Sequence, residues 1–182
     1  MPAARTDDPS ARRRARALRL AGLYAVTPDL ASTDDLAARV AAALAGGAAA
    51  IQYRNKSADA ALKRAQAMAL ARVHALRGGL YIVNDDASLA AEIGADGVHV
   101  GEDDVTIAAA REIVGPDRLV GASCYNDFER ARAAVAAGAD YVAFGSFFPS
   151  SVKPDARRAD VELLGPARAL GVPIVAIGGI TV

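Results

Sequence analysis

The chain has no tryptophan, a single cysteine and only three lysines among its 182 residues, and aromatic side chains make up 5% of it. A lone Cys124 forms no internal disulfide, so no cystine framework holds the fold. Neither charge sign is in excess, with 21 basic against 21 acidic side chains. Without a net positive field to gather polyphosphate chains, nucleic acid is disfavoured as a partner. No apolar run approaches the roughly 18 residues of a membrane span and no stretch reads as a signal-peptide core, so no membrane partner is expected and the expected compartment is the cytoplasm.

What the chain has is a 53% hydrophobic fraction and eighteen arginines beside Lys56, Lys63 and Lys153. That arginine bias makes the positions of basic residues more telling than their totals. Residues 1–18, with Ala11-Arg12-Arg13-Arg14-Ala15-Arg16, mix Pro, Asp, Ser and Arg without a strand pattern and read as a disordered, solvated arm. Residues 19–182 form the expected domain. Within it a unit recurs: a short apolar run ending in polar residues, an alanine-rich helical stretch, then a glycine that opens the next run. The runs are Leu20–Thr27, Ala48–Arg54, Leu80–Asn84, Gly97–Val100, Leu119–Ser123, Tyr141–Gly145 and Val172–Ile177. Near-continuous apolar character suits parallel strands covered on both faces.

Between the runs, Ser32-Thr33-Asp34-Asp35 reads as a helix start, with Leu36, Val40 and Leu44 as its buried face and a stop at Gly46-Gly47. Leu62, Ala65, Ala69 and Leu76 mark a second buried face, ending at Gly78-Gly79. Asn126-Asp127 opens another helix that stops at Gly138, and Gly171 closes a further one. Seven strands with six right-handed crossovers wind into either a barrel or an open doubly wound sheet. An eight-unit barrel normally needs ~250 residues, and this chain is expected to stop after the seventh strand.

Nearly every run ends in groups that a purely structural strand would not choose: Thr27, Gln52 and Arg54, Asn84 and Asp85, His99, Ser123, Ser146. Both architectures bind ligands at this carboxyl edge. Strand alternation puts Gln52, Arg54 and Lys56 on one face, a donor set that suits phosphate or pyrophosphate. Two acidic turns, Asn84-Asp85-Asp86 and Glu102-Asp103-Asp104, leave adjacent strands; they fit either a Mg²⁺ held by facing carboxylates or a pair of helix N-caps. Gly178-Gly179 leaves bare backbone N–H groups for a phosphate. His74 is expected on a helix surface, His99 as a packed, hydrogen-bonded residue, and Cys124 without a catalytic or metal role.

The ordered blocks Gly22-Leu23-Tyr24-Ala25-Val26-Thr27, Ile51-Gln52-Tyr53-Arg54-Asn55-Lys56, Val83-Asn84-Asp85, Ala95 to Asp104, Gly121-Ala122-Ser123, Gly138 to Gly145, Phe148 to Lys153 and Ala176 to Ile180 resemble the thiamine phosphate synthase family over residues 20–182. The resemblance implies a (β/α)8 barrel of TIM type. It also implies a transferase that joins hydroxymethylpyrimidine diphosphate to a thiazole phosphate with release of pyrophosphate, assisted by Mg²⁺. Carried over position by position, Gln52, Arg54, Lys56, Asn84 and Lys153 hold the diphosphate, and Asp85 and Asp104 bind Mg²⁺. Ser123 lies by the pyrimidine or the leaving group, Ser150 keeps a hydroxyl beside the pyrophosphate, and Gly179 belongs to the thiazole phosphate cradle. Lys153 and Ser123 carry the chemistry.

Three positions depart from the family pattern: Val152 replaces a hydroxyl residue, Glu102 a glutamine, and Cys124-Tyr125 stands where a histidine follows the serine motif. An isomerase resembling the thiazole tautomerases, or a truncated phosphate-ligand binder without turnover, are the alternatives. The implied partners are small molecules, with homo-oligomerisation left open.

Overall fold

The computed structural model describes residues 8–149 and 157–180. Seven strands, β1 (Tyr24–Val26), β2 (Ala50–Tyr53), β3 (Leu80–Asn84), β4 (Gly97–Val100), β5 (Leu119–Tyr125), β6 (Tyr141–Phe144) and β7 (Ile174–Ala176), lie side by side in chain order. Every adjacent pair is parallel. A doubly wound sheet reverses its strand order at a switch point, whereas this order advances without reversal, which is the barrel winding. All residues of β2, β4 and β6 are buried, as continuous apolar runs require when both faces are covered.

The crossovers carry α2 (Thr33–Ala45), α3 (Ala60–Arg77), α4 (Ala87–Glu92), α5 (Ile107–Val114), α6 (Phe128–Ala136) and the short α7 (Leu164–Ala167). Ser32, Asp59, Asp86, Thr106 and Asp127 cap the first five by accepting a backbone N–H two or three positions into the helix. Leu36, Val40 and Leu44 form the buried face of α2, as their spacing predicts. They pack with Ile51, Tyr53 and Tyr81 in the layer between helices and sheet. A second core fills the interior: Ala50, Leu80, Ile82, Leu119, Tyr141 and Val175. Gly121 makes room there, because a Cβ on it would lie 2.0 Å from the Tyr141 ring.

The expected arm at residues 1–18 is corrected from residue 8 onward. Pro9–Ala17 form α1, capped by Asp8, and Leu18–Leu20 continue as a 3-10 turn. Ala17 and Leu20 are buried in the interior core. Arg12 pairs with Asp117 at 2.8 Å, Arg13 with Asp140 at 3.1 Å and Arg16 with Asp96 at 3.5 Å. These acids sit just before β5, β6 and β4, so the arginines tie α1 across the amino end of the barrel. Arg13 and Arg16 in this stretch are part-buried in their ion pairs, while Arg14 stays largely in solvent.

The buried face of α3 also differs from the expected one. Gln66, Ala67, Leu70 and His74 are buried, while Leu76 is 86% exposed. His74 is therefore no surface residue: its ring stacks on Tyr81 at 4.5 Å, and among the described residues neither ring nitrogen has a hydrogen-bond partner. Ser150 and Lys153 lie outside the described residues.

Candidate active site

At the carboxyl ends of the strands, Arg54, Lys56, Asn84 and Asp85 line one cleft. The loop after β2 is built by a buried polar network. Gln66 Oε1 accepts from the Tyr53 hydroxyl at 2.9 Å and from Asn55 Nδ2 at 3.0 Å, and Gln66 Nε2 donates to the Leu30 carbonyl at 2.8 Å. Asn55 Oδ1 in turn accepts from the Ser57 hydroxyl at 2.9 Å and from the Ser57 and Ala58 backbone at 3.2 Å. With its lone pairs and donors satisfied, the loop holds Arg54 and Lys56 on one side of β2. Asp29 accepts from Arg54 Nη1 and from the Lys56 backbone, both at 3.2 Å. Gln52 is buried in β2 itself. Gln66 and Asp29 lie outside every motif block, and Asn55 stands inside the Ile51–Lys56 block without a role of its own there.

Lys56 Nζ contacts Asp85 Oδ2 across the β2–β3 mouth. Asp85 holds a left-handed backbone with φ 63°, uncommon for a residue other than glycine, and its N–H donates to the His99 carbonyl at 2.8 Å. Asp104 Oδ2 accepts from the Gly101 N–H at 2.7 Å, which folds the loop after β4 back toward Asp85. Asp86 is the N-cap of α4, so the helix-cap alternative accounts for Asp86 and not for Asp85 or Asp104.

The electrostatics of the two carboxyls are opposite. Burial works against ionisation of Asp85, but hydrogen bonds from Lys56 and Asp104 and the charge of Lys56 outweigh it, holding the carboxyl below its ordinary range. Asp104 is pushed above that range, by burial first and then by its hydrogen bond to Asp85. Of the two, Asp104 is the more readily protonated and Asp85 the more readily ionised. A hard divalent cation could take Asp85 and Asp104 together as oxygen ligands. Among the described residues no group of three or more His, Cys, Asp or Glu converges, so these two acids would be the protein's share of such a site.

Ser123 stands at the carboxyl end of β5. Its Oγ lies 2.9 Å from His99 Nε2, His99 Nδ1 lies 3.1 Å from the Tyr141 hydroxyl, and that hydroxyl lies 3.0 Å from the hydroxyl of Tyr24. His99 is thus hydrogen-bonded and packed, as expected. The serine–histidine contact is not legible in the sequence, where the two stand 24 residues apart. Burial lowers the His99 pKa to about 4, so the ring is neutral and orients Ser123 rather than activating it as a strong base would. Arg130 Nε donates to the Ser123 carbonyl at 2.8 Å. Its guanidinium lies 5.6 Å from the ring centroid of Tyr125, which has φ 53°. Cys124 is buried, and its thiol is pushed up to about 11 by that burial, consistent with no reactive role.

Gly178 (φ 96°) and Gly179 (φ 66°) follow β7. A Cβ on Gly178 would stand 2.1 Å from Ser146 Oγ and one on Gly179 2.2 Å from the Pro149 carbonyl, so close packing alone demands glycine here. Among the described residues neither N–H has a hydrogen-bond partner.

A parallel barrel with cations and paired carboxylates at its carboxyl mouth defines a (β/α) barrel built to handle phosphorylated ligands. Comparison with known proteins narrows the class. A thiamine monophosphate synthase profile matches residues 23–182. The chain is 58% identical over 162 residues to thiamine-phosphate synthase of Chromobacterium violaceum, covering 89% of this chain and 78% of that protein. It is 56% identical over 160 residues to that of Methylobacillus flagellatus, covering 88% and 77%. The structure of thiamine phosphate pyrophosphorylase from Pyrococcus furiosus superimposes with a TM-score of 0.77 at 36% identity, over 91% of this chain and 78% of that one. This chain belongs to the thiamine monophosphate synthase family, and its fold is of the TIM-barrel type.

Proposed function

We propose that this chain joins hydroxymethylpyrimidine diphosphate to a thiazole phosphate, giving thiamine phosphate and pyrophosphate. The observation that carries the reading is the meeting of Lys56, Asp85 and Asp104 beside Arg54 and Asn84 at one mouth. Arg54 offers a planar fork and Lys56 a point charge to the diphosphate, with Gln52 and Asn84 as neutral donors. Asp85 and Asp104 would hold Mg²⁺, which when bound supplies charge neutralisation to the departing pyrophosphate.

The bond between the pyrimidine methylene and the diphosphate oxygen breaks with its electron pair leaving on pyrophosphate. The thiazole nitrogen then donates its lone pair to the methylene carbon. The cations placed around the diphosphate lower the barrier because negative charge accumulates there as the bond breaks. Ser123, oriented by neutral His99 and Arg130, offers its hydroxyl to the pyrimidine or the leaving group. Ser150 and Lys153 join the pyrophosphate site on their family positions alone, and the free N–H groups of Gly178 and Gly179 suit the thiazole phosphate. No protein nucleophile is needed.

The test is direct assay of thiamine phosphate and pyrophosphate from the two substrates with Mg²⁺, with and without chelator. Equal amounts of both products are expected, with the reaction abolished by chelation. Asp104→Asn removes a charged oxygen ligand and should lower turnover by about 100-fold or more while the fold survives. Wild-type turnover of Asp104→Asn at ordinary Mg²⁺ would overturn the metal assignment, and absence of product from the intact chain the reaction itself.

A further inference from the structure

Eighteen of the 21 basic residues are arginine, and of the three lysines the family resemblance accounts for Lys56 and Lys153. The third, Lys63, lies in the first turn of α3 and lines a cleft at the carboxyl edge with Arg54, Lys56, Asn84 and Asp85. Gln66, one turn further along the same helix, is the residue that locks α3 to the loop carrying Arg54 and Lys56. The helix therefore presents Lys63 to the cleft at a fixed place relative to the other two cations.

The pairing of charges around the cleft is uneven. Arg54 is matched by Asp29 at 3.2 Å and Lys56 by Asp85, whereas Lys63 has no carboxylate within ion-pairing distance among the described residues. An unmatched ammonium beside two other cations is stabilised by an anion entering between them. The rest of α3 uses arginine for its basic positions, at Arg64, Arg72 and Arg77. A merely solvated site in this arginine-rich chain has no evident need for lysine, while a compact point charge with three donors suits a terminal phosphate.

We infer that Lys63 is a third cation of the diphosphate site, holding the terminal phosphate of the pyrimidine diphosphate and of the pyrophosphate released from it. This rests on the diphosphate reading proposed above. The terminal phosphate is absent from the thiazole substrate, so the effect of Lys63 is selective: it acts on the diphosphate and on pyrophosphate.

The experiment is calorimetric titration of pyrophosphate with Mg²⁺ into the intact chain, Lys63→Ala, Lys63→Arg and Lys56→Ala, together with steady-state kinetics. Lys63→Ala should weaken pyrophosphate about tenfold and raise KM for the pyrimidine diphosphate by a similar factor, with KM for the thiazole phosphate unchanged. Lys63→Arg keeps the charge but not the compact ammonium, and its pyrophosphate affinity should fall between those of the intact chain and Lys63→Ala. Pyrophosphate affinity of Lys63→Ala within twofold of the intact chain would overturn the inference. If Lys56→Ala is weakened in that case, the diphosphate site stands and Lys63 is a solvated lysine. If Lys56→Ala is also unaffected, the diphosphate assignment falls together with the inference.

Discussion

Asp85 combines a left-handed backbone, a hydrogen-bonded N–H and a carboxylate held between Lys56 and Asp104. Strain of this kind persists only where the surroundings enforce it, and it gathers at functional sites. Replacing Asp85 by glycine relieves about 1 kcal/mol of backbone strain while losing one partly exposed ion pair worth about as much or less. The expected Asp85→Gly protein melts at or above the wild-type temperature yet turns over at least about 100-fold more slowly; thermal unfolding beside the product assay reads both.

The two buried histidines make stability depend on pH. His74 and His99 are both lowered from the ordinary value of 6.5, in each case chiefly by burial, and His99 reaches about 4. A lowered folded value means that the unfolded chain takes up the proton first. Stability is fully present above about pH 6.5 and falls as acid is added, by up to about 1.4 kcal/mol per pH unit for each histidine until the folded ring also protonates. Denaturant unfolding at pH 7 and pH 5 measures the loss, and His74→Phe, which keeps the stack on Tyr81 without a titrating ring, should shrink it. An unchanged pH slope in His74→Phe would show that His74 takes its proton equally in both states.

Among the elements, α3 shows why polar core residues escape pattern reading. Apolar periodicity selected Leu62, Ala65, Ala69 and Leu76, but the helix buries Gln66 and His74 beside Ala67 and Leu70. Gln66 is fully buried because its amide completes the Tyr53–Asn55–Leu30 network, and no hydropathy count registers a polar group that finds all its partners inside. Gln66→Leu leaves the Tyr53 hydroxyl and one of the two Asn55 amide N–H groups without an acceptor, the other still donating to the Leu30 carbonyl, a loss of about 2–4 kcal/mol in stability. By loosening the loop it should also raise KM for the pyrimidine diphosphate without changing KM for the thiazole phosphate. Urea denaturation and steady-state kinetics measure the two effects, and an unaltered KM would confine Gln66 to stability.

At the scale of the whole molecule, α1 and the acids it meets close the amino end of the barrel. Asp140 is the centre of that closure: it accepts from Arg13 Nε at 3.1 Å and from the Val120 N–H at 2.8 Å, and it pairs with Arg111. Removing Asp140 strands two part-buried guanidinium groups and one backbone N–H, so Asp140→Ala should cost about 1.5–3 kcal/mol. Leu20→Ala, which empties part of the interior core beside Leu80 and Tyr141, should cost about 2–4 kcal/mol. Chemical denaturation checks both. A loss under about 0.5 kcal/mol in each would return residues 8–20 to the solvated arm that their composition suggests.

The repeat of apolar runs, helix starts and glycine stops determined the parallel α/β class and the strand count, because burial on two faces and a helical period both leave marks within a few residues. The polar strand ends likewise determined which residues could form a site, and Arg54, Lys56, Asp85 and Asp104 do converge. The strand pattern left barrel and doubly wound sheet open, the family resemblance implied the barrel, and the strand order is that of a barrel. Tertiary structure alone decided the rest: the Ser123–His99–Tyr141–Tyr24 chain comes from contacts between strands far apart in sequence. The arginines of α1 became structural because Asp96, Asp117 and Asp140 wait at the strand starts. Local pattern reports what each segment must hide from water, while the partner of a polar group is set by which segments the barrel winding brings together.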